Sequence, residues 1–233
     1  MTAPALILWD IDRTLVTIGP VSREIYARAF QFVTGRPLRE LADMTGRTER
    51  AILLDTLRLN GVPDDEPTFD AFYEALGQAA HQLEGRMKES GRRLPGAKEA
   101  VASLVAKDTV QSVVTGNIRS IAATKLHAFD LEDHVDLEVG GFGDDDSDRT
   151  VLVRLAVKRA EAKYDVTFPP NRTVVIGDTP HDVKGAHDAG VRAVGVATGG
   201  STAGDLEASG ADAVLPDLTR PRALRAAVFG LVG

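Results

Sequence analysis

The stretch Ala5-Leu6-Ile7-Leu8-Trp9-Asp10-Ile11-Asp12 decides the fold class of this chain. Its five leading apolar residues, preceded by Pro4, indicate a short strand that is buried on both faces of a parallel sheet. Asp10 and Asp12 follow at the C-terminal end of that strand, where open α/β sheets bind their ligands. Like charges held this close raise a carboxyl pKa unless a cation compensates them. Taken alone, the pair is also typical of a solvated acidic turn.

A second apolar run, Thr173 to Gly177, also ends in acidic residues. Asp178 follows it directly and Asp182 comes four residues later, before a helix expected over Val183 to Ala189. If the two strands are neighbours, four carboxylates converge in an all-oxygen cluster: Asp10, Asp12, Asp178 and Asp182. Hard oxygen ligands with open positions suit Mg²⁺, which keeps waters and takes phosphate oxygens of a substrate.

A third segment lies between these two. The stretch Val110 to Val114 predicts a strand, and Thr115, Gly116 and Asn117 follow it before a helix expected over Ile118 to Phe129. A hydroxyl, a glycine and a helix N-terminus in this order are typical of a phosphate cradle. The same residues also fit a plain glycine turn in which Asn117 caps the helix.

These segments resemble, in order and strand context, motifs of the haloacid dehalogenase (HAD) superfamily. Leu6 to Leu15 resembles the first motif, Val113 to Asn117 the second and Val175 to Val183 the fourth. Within the superfamily, the run from Gly195 to Asp212 resembles the phosphoglycolate phosphatase-like branch. The resemblance covers nearly the whole chain and implies a HAD-like core.

The resemblance implies a role for each acidic residue. Asp10 would be the nucleophile that forms an aspartyl phosphate, and Asp12 the general acid and then the base. The Mg²⁺ ligands would be Asp10, Asp12 (through its backbone carbonyl), Asp178 and Asp182. Thr115, with backbone N–H groups near Gly116 and Asn117, would hold the phosphoryl oxygens. In dehalogenases of this fold the position of Asp12 is not an acid, so its presence favours phosphoryl transfer.

Two positions depart from the family pattern. Arg13 stands where the family usually has glycine, and its side chain would reach either the substrate or solvent. The third motif usually supplies a lysine that binds phosphate. Arg149, at the start of a helix expected to run to Tyr164, is the predicted replacement, because its fork of donors also serves phosphate. Lys158 is the alternative.

The rest of the chain follows an α/β pattern. Strands expected near Val110, Val135, Val174, Val191 and Ala213 alternate with helices. Right-handed crossovers then predict a Rossmann-like parallel sheet with helices on both faces.

One interruption is helical throughout. Three helices are expected over Ser22 to Val33, Thr48 to Leu59 and Thr68 to Lys88. The predicted organisation is a catalytic core of residues 1–18 and 93–233 with an insert of residues 19–92, which resembles the family's all-helical cap. In the loop 43–48, Arg47 would either pair with a second anion of the substrate, such as the carboxylate of phosphoglycolate, or lie on the surface.

Composition excludes several classes of partner. A formal net charge of −7 argues against a general nucleic-acid-binding surface. No segment approaches the roughly 20 apolar residues of a membrane span, and no signal-like start is evident. The chain has no cysteine, which excludes disulfides and thiolate chemistry. A cytoplasmic monomer or homodimer is the expectation.

Together these features predict a Mg²⁺-dependent phosphatase that hydrolyses a small organic phosphate monoester through an aspartyl-phosphate intermediate. Two alternatives remain at this point. One is a phosphotransferase or mutase resembling β-phosphoglucomutase, which returns the phosphoryl group to a second hydroxyl. The other is a binding protein with a decayed site, since fold alone does not establish activity.

Overall fold

The computed structural model describes residues 4–232, and its centre is a five-stranded parallel sheet. The strand order is β4-β1-β5-β6-β7, so the first strand is flanked by the strands that carry the second and fourth motifs. The sheet strands are β1 (Ala5–Trp9), β4 (Thr109–Val113), β5 (Thr173–Gly177), β6 (Arg192–Val196) and β7 (Ala213–Leu215). The predicted adjacency of the two acid-bearing strands is confirmed by the register Leu6 to Thr173 through Trp9 to Ile176.

Helices cover both faces of the sheet, as predicted. The helices of the core are α5 (Ala97–Ser103), α6 (Arg119–Ala128), α7 (Arg149–Tyr164), α8 (Pro180–Asp188), α9 (Ala203–Ala208) and α10 (Pro221–Val232). Along β1 the side chains alternate between two apolar clusters. Ile7 and Trp9 pack with residues of α5, α6 and α10, whereas Leu6 and Leu8 pack with residues of α7, α8 and α9. The alternation explains why every residue of β1 is buried and apolar.

The strand predicted near Val135 is wrong. The chain there forms two short 3-10 turns, Glu132–His134 and Leu137–Val139. The Asp136 side chain accepts a hydrogen bond from the backbone N–H of Glu138 at 2.9 Å, which favours a turn over an extended backbone. The segment runs along the edge of β4 and pairs with the sheet at a single bridge, between Val114 and Gly141.

Residues 21–90 form a helical layer over the C-terminal edge of the sheet. Its helices are α1 (Val21–Thr34), α2 (Glu49–Leu59), α3 (Glu66–Gln82) and α4 (Glu84–Ser90). The single helix predicted over Thr68 to Lys88 is two, because the chain leaves helical geometry at Leu83. An antiparallel pair of two-residue strands, β2 (Val16–Thr17) and β3 (Arg92–Arg93), joins the layer to the sheet. In the part of the chain that the structure describes, no helix is long and apolar enough to cross a membrane.

Backbone hydrogen bonds dock the start of α2 on two loops of the core. The N–H of Glu49 donates to the carbonyl of Gly116 at 2.6 Å, and the N–H of Arg50 donates to the carbonyl of Gly143 at 3.0 Å. A Cβ atom on Gly143 would lie 1.8 Å from the Gly116 oxygen and 2.7 Å from the Glu49 nitrogen. The contact therefore requires the absence of a side chain at position 143.

Substitution of Gly143→Ala is expected to push α2 off these loops. Overpacking of this kind costs about 1–3 kcal/mol, so the free energy of unfolding should fall by that amount in a denaturant titration. Loss of the two hydrogen bonds should also accelerate hydrogen exchange at the amides of Glu49 and Arg50. The matched control is Gly85→Ala, where a Cβ meets no atom within 4 Å. Unchanged exchange at both amides in Gly143→Ala would contradict the docked arrangement.

Candidate active site

Three buried carboxylates meet at the C-terminal edge of the sheet. Asp10 follows β1, Asp178 follows β5, and Asp182 lies in the first turn of α8. Oxygen atoms from the three side chains lie within 4.8 Å of one another. Each residue is at most 4% exposed. The parallel sheet therefore concentrates negative charge at one point and withdraws it from water.

Burial and mutual repulsion disfavour the charged forms of these groups. Burial and the neighbouring Asp182 raise the pKa of Asp10 well above its usual range. The same two causes raise the pKa of Asp178 to about 7. The Thr14 hydroxyl lies between the two carboxylates, 3.2 Å from Asp10 Oδ2 and 3.4 Å from Asp178 Oδ1, and its single proton serves one of them at a time.

The donor set fits a divalent cation. Asp178 Oδ2 is buried and, within residues 4–232, accepts no hydrogen bond, while the buried Asp182 Oδ1 has only the ion pair with Arg149 at 3.0 Å. A buried carboxylate oxygen without a donor costs free energy that a metal ion would recover. All the ligand atoms are hard oxygens, which Mg²⁺ prefers. Asp182 is also held in place, because its Oδ2 accepts hydrogen bonds from the Thr179 backbone N–H and hydroxyl in a capping box.

Arg149 brings positive charge to this cluster. It is the first residue of α7, and its Nη1 donates to the carbonyl of Val114 at 3.1 Å. The same nitrogen lies 3.5 Å from Asp10 Oδ1 and 3.0 Å from Asp182 Oδ1. Arg149, the predicted motif-three cation, thus lies beside Asp10 and Asp182. Lys158, the alternative, is exposed on α7 and does not line the cleft.

The carboxylate of Asp12 does not join the other three, in contrast to the predicted four-carboxylate cluster. It faces α6, where Lys125 Nζ lies 2.7 Å from both of its oxygens and Asn117 Nδ2 donates to its Oδ2 at 2.7 Å. The Lys125 side chain is only 5% exposed, so its ammonium group needs a nearby counter-charge, which Asp12 supplies. The carboxylate is therefore oriented by an ion pair rather than by the metal-binding cluster.

Sequence reasoning missed Lys125, although one signal points to it. Ile121, Ala122, Lys125 and Leu126 share one helical face of α6, and all four are buried. A lysine within an apolar stripe needs a buried acceptor or anion. The sequence therefore indicates that Lys125 has a buried partner, but it does not identify that partner.

The loop after β4, the predicted phosphate cradle, is fixed by hydrogen bonds of its own side chains. Asn117 donates to Thr115 Oγ1 from its side chain at 2.7 Å and from its backbone N–H at 3.3 Å. These bonds use Thr115 Oγ1 as an acceptor and leave its hydroxyl proton to donate. Lys125 Nζ fixes the Asn117 amide by donating to its Oδ1 at 2.7 Å. Gly116, between the two, permits the docked helix to approach, because a Cβ there would lie 2.2 Å from the carbonyl oxygen of Arg47.

Arg13 and Arg47, the two arginines that could reach the substrate, lie in different environments. Arg13 has a φ of 62°, the left-handed region that favours glycine, and its side chain is exposed at the rim of the cleft beside Gly200. Arg47 lines the cleft, but its guanidinium is engaged by other groups. These are the Asp55 carboxylate at 2.6 Å, the Ala51 carbonyl at 3.1 Å and the Asp43 carbonyl at 3.2 Å. The structure therefore shows no free guanidinium at Arg47 for a second substrate anion.

The cleft between the helical layer and the sheet has a volume of about 480 Å³, which suits a small molecule. Glu49, the first residue of α2, contributes a further carboxylate to its wall. The residue is 3% exposed, and its Oε1 accepts a hydrogen bond from the Tyr26 hydroxyl. Burial raises the pKa of Glu49 to about 7, against the opposing effects of Tyr26 and Lys125.

Comparison with known proteins identifies the family to which these features belong. The chain matches the model of the haloacid dehalogenase-like hydrolases over residues 7–187. Comparison with the sequences of curated proteins finds no match.

Solved structures share the fold at low sequence identity. A hydrolase from Pseudomonas syringae is 23% identical, with a TM-score of 0.63, and the alignment covers 93% of this chain and 94% of that one. A predicted phosphatase from Clostridium acetobutylicum is 16% identical (TM-score 0.61, coverage 91% and 94%). A mutant of CbbY from Rhodobacter sphaeroides, in complex with xylulose-(1,5)bisphosphate, is 18% identical (TM-score 0.65, coverage 93% and 96%).

The raised pKa of Glu49 predicts a pH-dependent contribution to stability. Because the folded-state pKa of about 7 exceeds the usual 4.5, the stability from the protonated carboxyl is complete below pH 4.5 and is lost as the pH rises through 7. Glu49→Gln does not titrate, so it should be more stable than the wild type above pH 7, by on the order of 3 kcal/mol. Denaturant titrations in chelator from pH 4.5 to above 7 measure this difference.

The matched control for this experiment is Glu40→Gln, which changes the same charge at an exposed position. Its stability relative to the wild type should not vary over the same pH range. An equally flat difference for Glu49→Gln would contradict the burial of a titrating carboxyl in the cleft.

Proposed function

Because this chain belongs to the haloacid dehalogenase-like hydrolase family, we propose that it is a Mg²⁺-dependent phosphatase acting on a small organic phosphate monoester. One observation carries the proposal: Asp10 belongs to a group of three buried carboxylates that could hold a cation, and Arg149 lies 3.5 Å from its side chain. A nucleophilic carboxylate can meet an anionic phosphate only where positive charge offsets their repulsion. The complex of the CbbY mutant with a sugar bisphosphate supports the same class of substrate.

The proposed reaction has two steps. In the first, an oxygen of Asp10 attacks phosphorus, the ester P–O bond breaks, and the leaving oxygen takes a proton from the Asp12–Lys125 pair. In the second, a water molecule attacks the phosphorus of the aspartyl phosphate and gives a proton back to Asp12, while the bond between phosphorus and the Asp10 oxygen breaks. The products are the alcohol and inorganic phosphate.

The remaining residues bind and orient the phosphoryl group in this proposal. Arg149 and the Thr115 hydroxyl donate to its oxygens, and the docked helix α2 keeps bulk water out. Asp10, Asp178 and Asp182 would hold Mg²⁺, with the backbone carbonyl of Asp12 as a further ligand. When bound, the metal ion neutralises charge on the phosphoryl oxygens and orients the group for in-line attack.

The proposed reaction is tested first by phosphate release from p-nitrophenyl phosphate. The wild type should turn over with Mg²⁺ and lose that activity in chelator. Asp10→Asn should reduce turnover by at least about a thousandfold, because it removes the nucleophile. Asp70→Asn makes the same charge change at an exposed position of α3 and should leave turnover unchanged. Mg²⁺-dependent turnover that survives Asp10→Asn would contradict the proposal.

The roles of Asp12 and Lys125 in protonating the leaving group are tested by comparing two esters. An alkyl phosphate needs a proton on its leaving alcohol, whereas p-nitrophenolate departs without one. Lys125→Met and Asp12→Asn should therefore lower kcat/KM for an alkyl phosphate at least about tenfold more than for p-nitrophenyl phosphate. Lys125→Arg should recover part of this difference. Equal losses for both esters would mean that Lys125 has only a structural role.

A further inference from the structure

Glu49 is a buried carboxylate in the cleft that the proposed reaction does not use. It lies at the start of α2, where its backbone N–H donates to the carbonyl of Gly116, and the apolar residues Met44 and Ile52 line the same cleft. Burying a carboxylate costs free energy that an uncharged residue would avoid. A side chain kept at this cost and facing a cleft is a candidate for substrate recognition.

The two oxygens of Glu49 differ in their contacts. Oε1 accepts the hydrogen bond of the Tyr26 hydroxyl, and Tyr26 is itself only 1% exposed, so this bond fixes the orientation of the carboxyl group. Within residues 4–232, Oε2 has no hydrogen-bond partner, and it is not among the fully enclosed polar atoms. One oriented acceptor therefore remains open to a ligand in the cleft.

Lys125 and the two arginines that flank Glu49 in the sequence are engaged by other groups. Lys125, the cation that acts most strongly on it, directs its ammonium group to Asp12 and Asn117. The guanidinium of Arg47 pairs with Asp55, and that of Arg50 pairs with Glu66. The wall of the cleft around Glu49 thus offers an acceptor without a free cation. It suits a hydrogen-bond donor and, above pH 7, where Glu49 is charged, it repels a second carboxylate or phosphate.

We infer that Glu49 is a specificity-determining residue whose open oxygen accepts a hydrogen bond from a hydroxyl or ammonium group on the organic part of the substrate. The inference rests on the proposed phosphatase activity and narrows its substrate class. The favoured substrates are small phosphate monoesters with such a donor. Phosphoglycolate, whose carboxylate would face Glu49, is a poor substrate.

The experiment measures selectivity within each variant, so that a general loss of activity cancels. It compares kcat/KM for glycerol phosphate with that for propyl phosphate, and for phosphoethanolamine with that for ethyl phosphate. Phosphoglycolate and p-nitrophenyl phosphate complete the panel. The wild type should prefer a donor-bearing ester over its counterpart by at least about tenfold, and the pair that shows the larger ratio distinguishes a hydroxyl from an ammonium group.

Two substitutions of Glu49 separate the effect of the hydrogen-bond acceptor on selectivity from the effect of the negative charge. Glu49→Met removes the acceptor and should reduce both ratios to about one. Glu49→Gln keeps a neutral acceptor, so it should retain part of the hydroxyl preference and lose any ammonium preference. The control Glu40→Gln, at an exposed position, should preserve the wild-type ratios. A circular dichroism spectrum like that of the wild type and a cooperative unfolding transition establish that each variant is folded.

The possible failures are distinguishable. The inference would be overturned if the wild type hydrolysed the esters without preferring those that carry a donor. It would also be overturned if that preference survived in Glu49→Met. Either result would leave the phosphatase proposal intact. A preference for phosphoglycolate over glycerol phosphate would overturn it too. Turnover of none of the esters, p-nitrophenyl phosphate included, would overturn the proposed function and this inference with it.

Discussion

Repulsion among carboxylates that the sheet brings together is the constraint on which the rest of this structure depends. Asp10 and Asp178 end two neighbouring parallel strands, so their side chains cannot move apart without disrupting the sheet. Asp182 joins them from the first turn of α8. In a buried position this arrangement is tolerable only with positive charge close by, and Arg149 supplies part of it. The remaining excess of negative charge is what a divalent cation would balance before an anionic phosphate binds.

A second group of charges connects the sheet to the helical layer. Lys125 holds Asp12 and Asn117 in place from α6, while Glu49 enters the same cleft from α2. The backbone of α2 can bring Glu49 this close only because Gly116 and Gly143 leave room for it. Packing and electrostatics are therefore coupled: the contact that closes the cleft also buries the carboxyl group that we infer to select the substrate.

The sequence predicts the strands and helices that carry this site better than it predicts which side chains contact each other there. Local patterns suffice for the buried strand before Asp10 and for its parallel neighbour before Asp178, because strand runs and crossover rules are local or topological. The strand expected near Val135 fails because the side chain of Asp136 favours a turn, and apolar character alone does not reveal that competition.

Side-chain partners are harder to predict than elements. The pairing of Lys125 with Asp12 joins residues 113 positions apart, and the engagement of Arg47 by Asp55 depends on the direction of one guanidinium group. Arg13 is predictable in part from the sequence. A residue at a position where the family usually has glycine is visible in the sequence, but its left-handed backbone is seen only in the structure.

The most direct test of the account is to trap the covalent intermediate on Asp10. Enzyme mixed with a phosphate monoester and Mg²⁺ would be quenched and reduced with borohydride, which cleaves an aspartyl phosphate and leaves a reduced side chain that peptide mass spectrometry can locate. We predict modification at Asp10, only with both substrate and Mg²⁺ present. Phosphate release without any reduced carboxylate, or with reduction at another acidic residue, would contradict the assignment of Asp10 as the nucleophile.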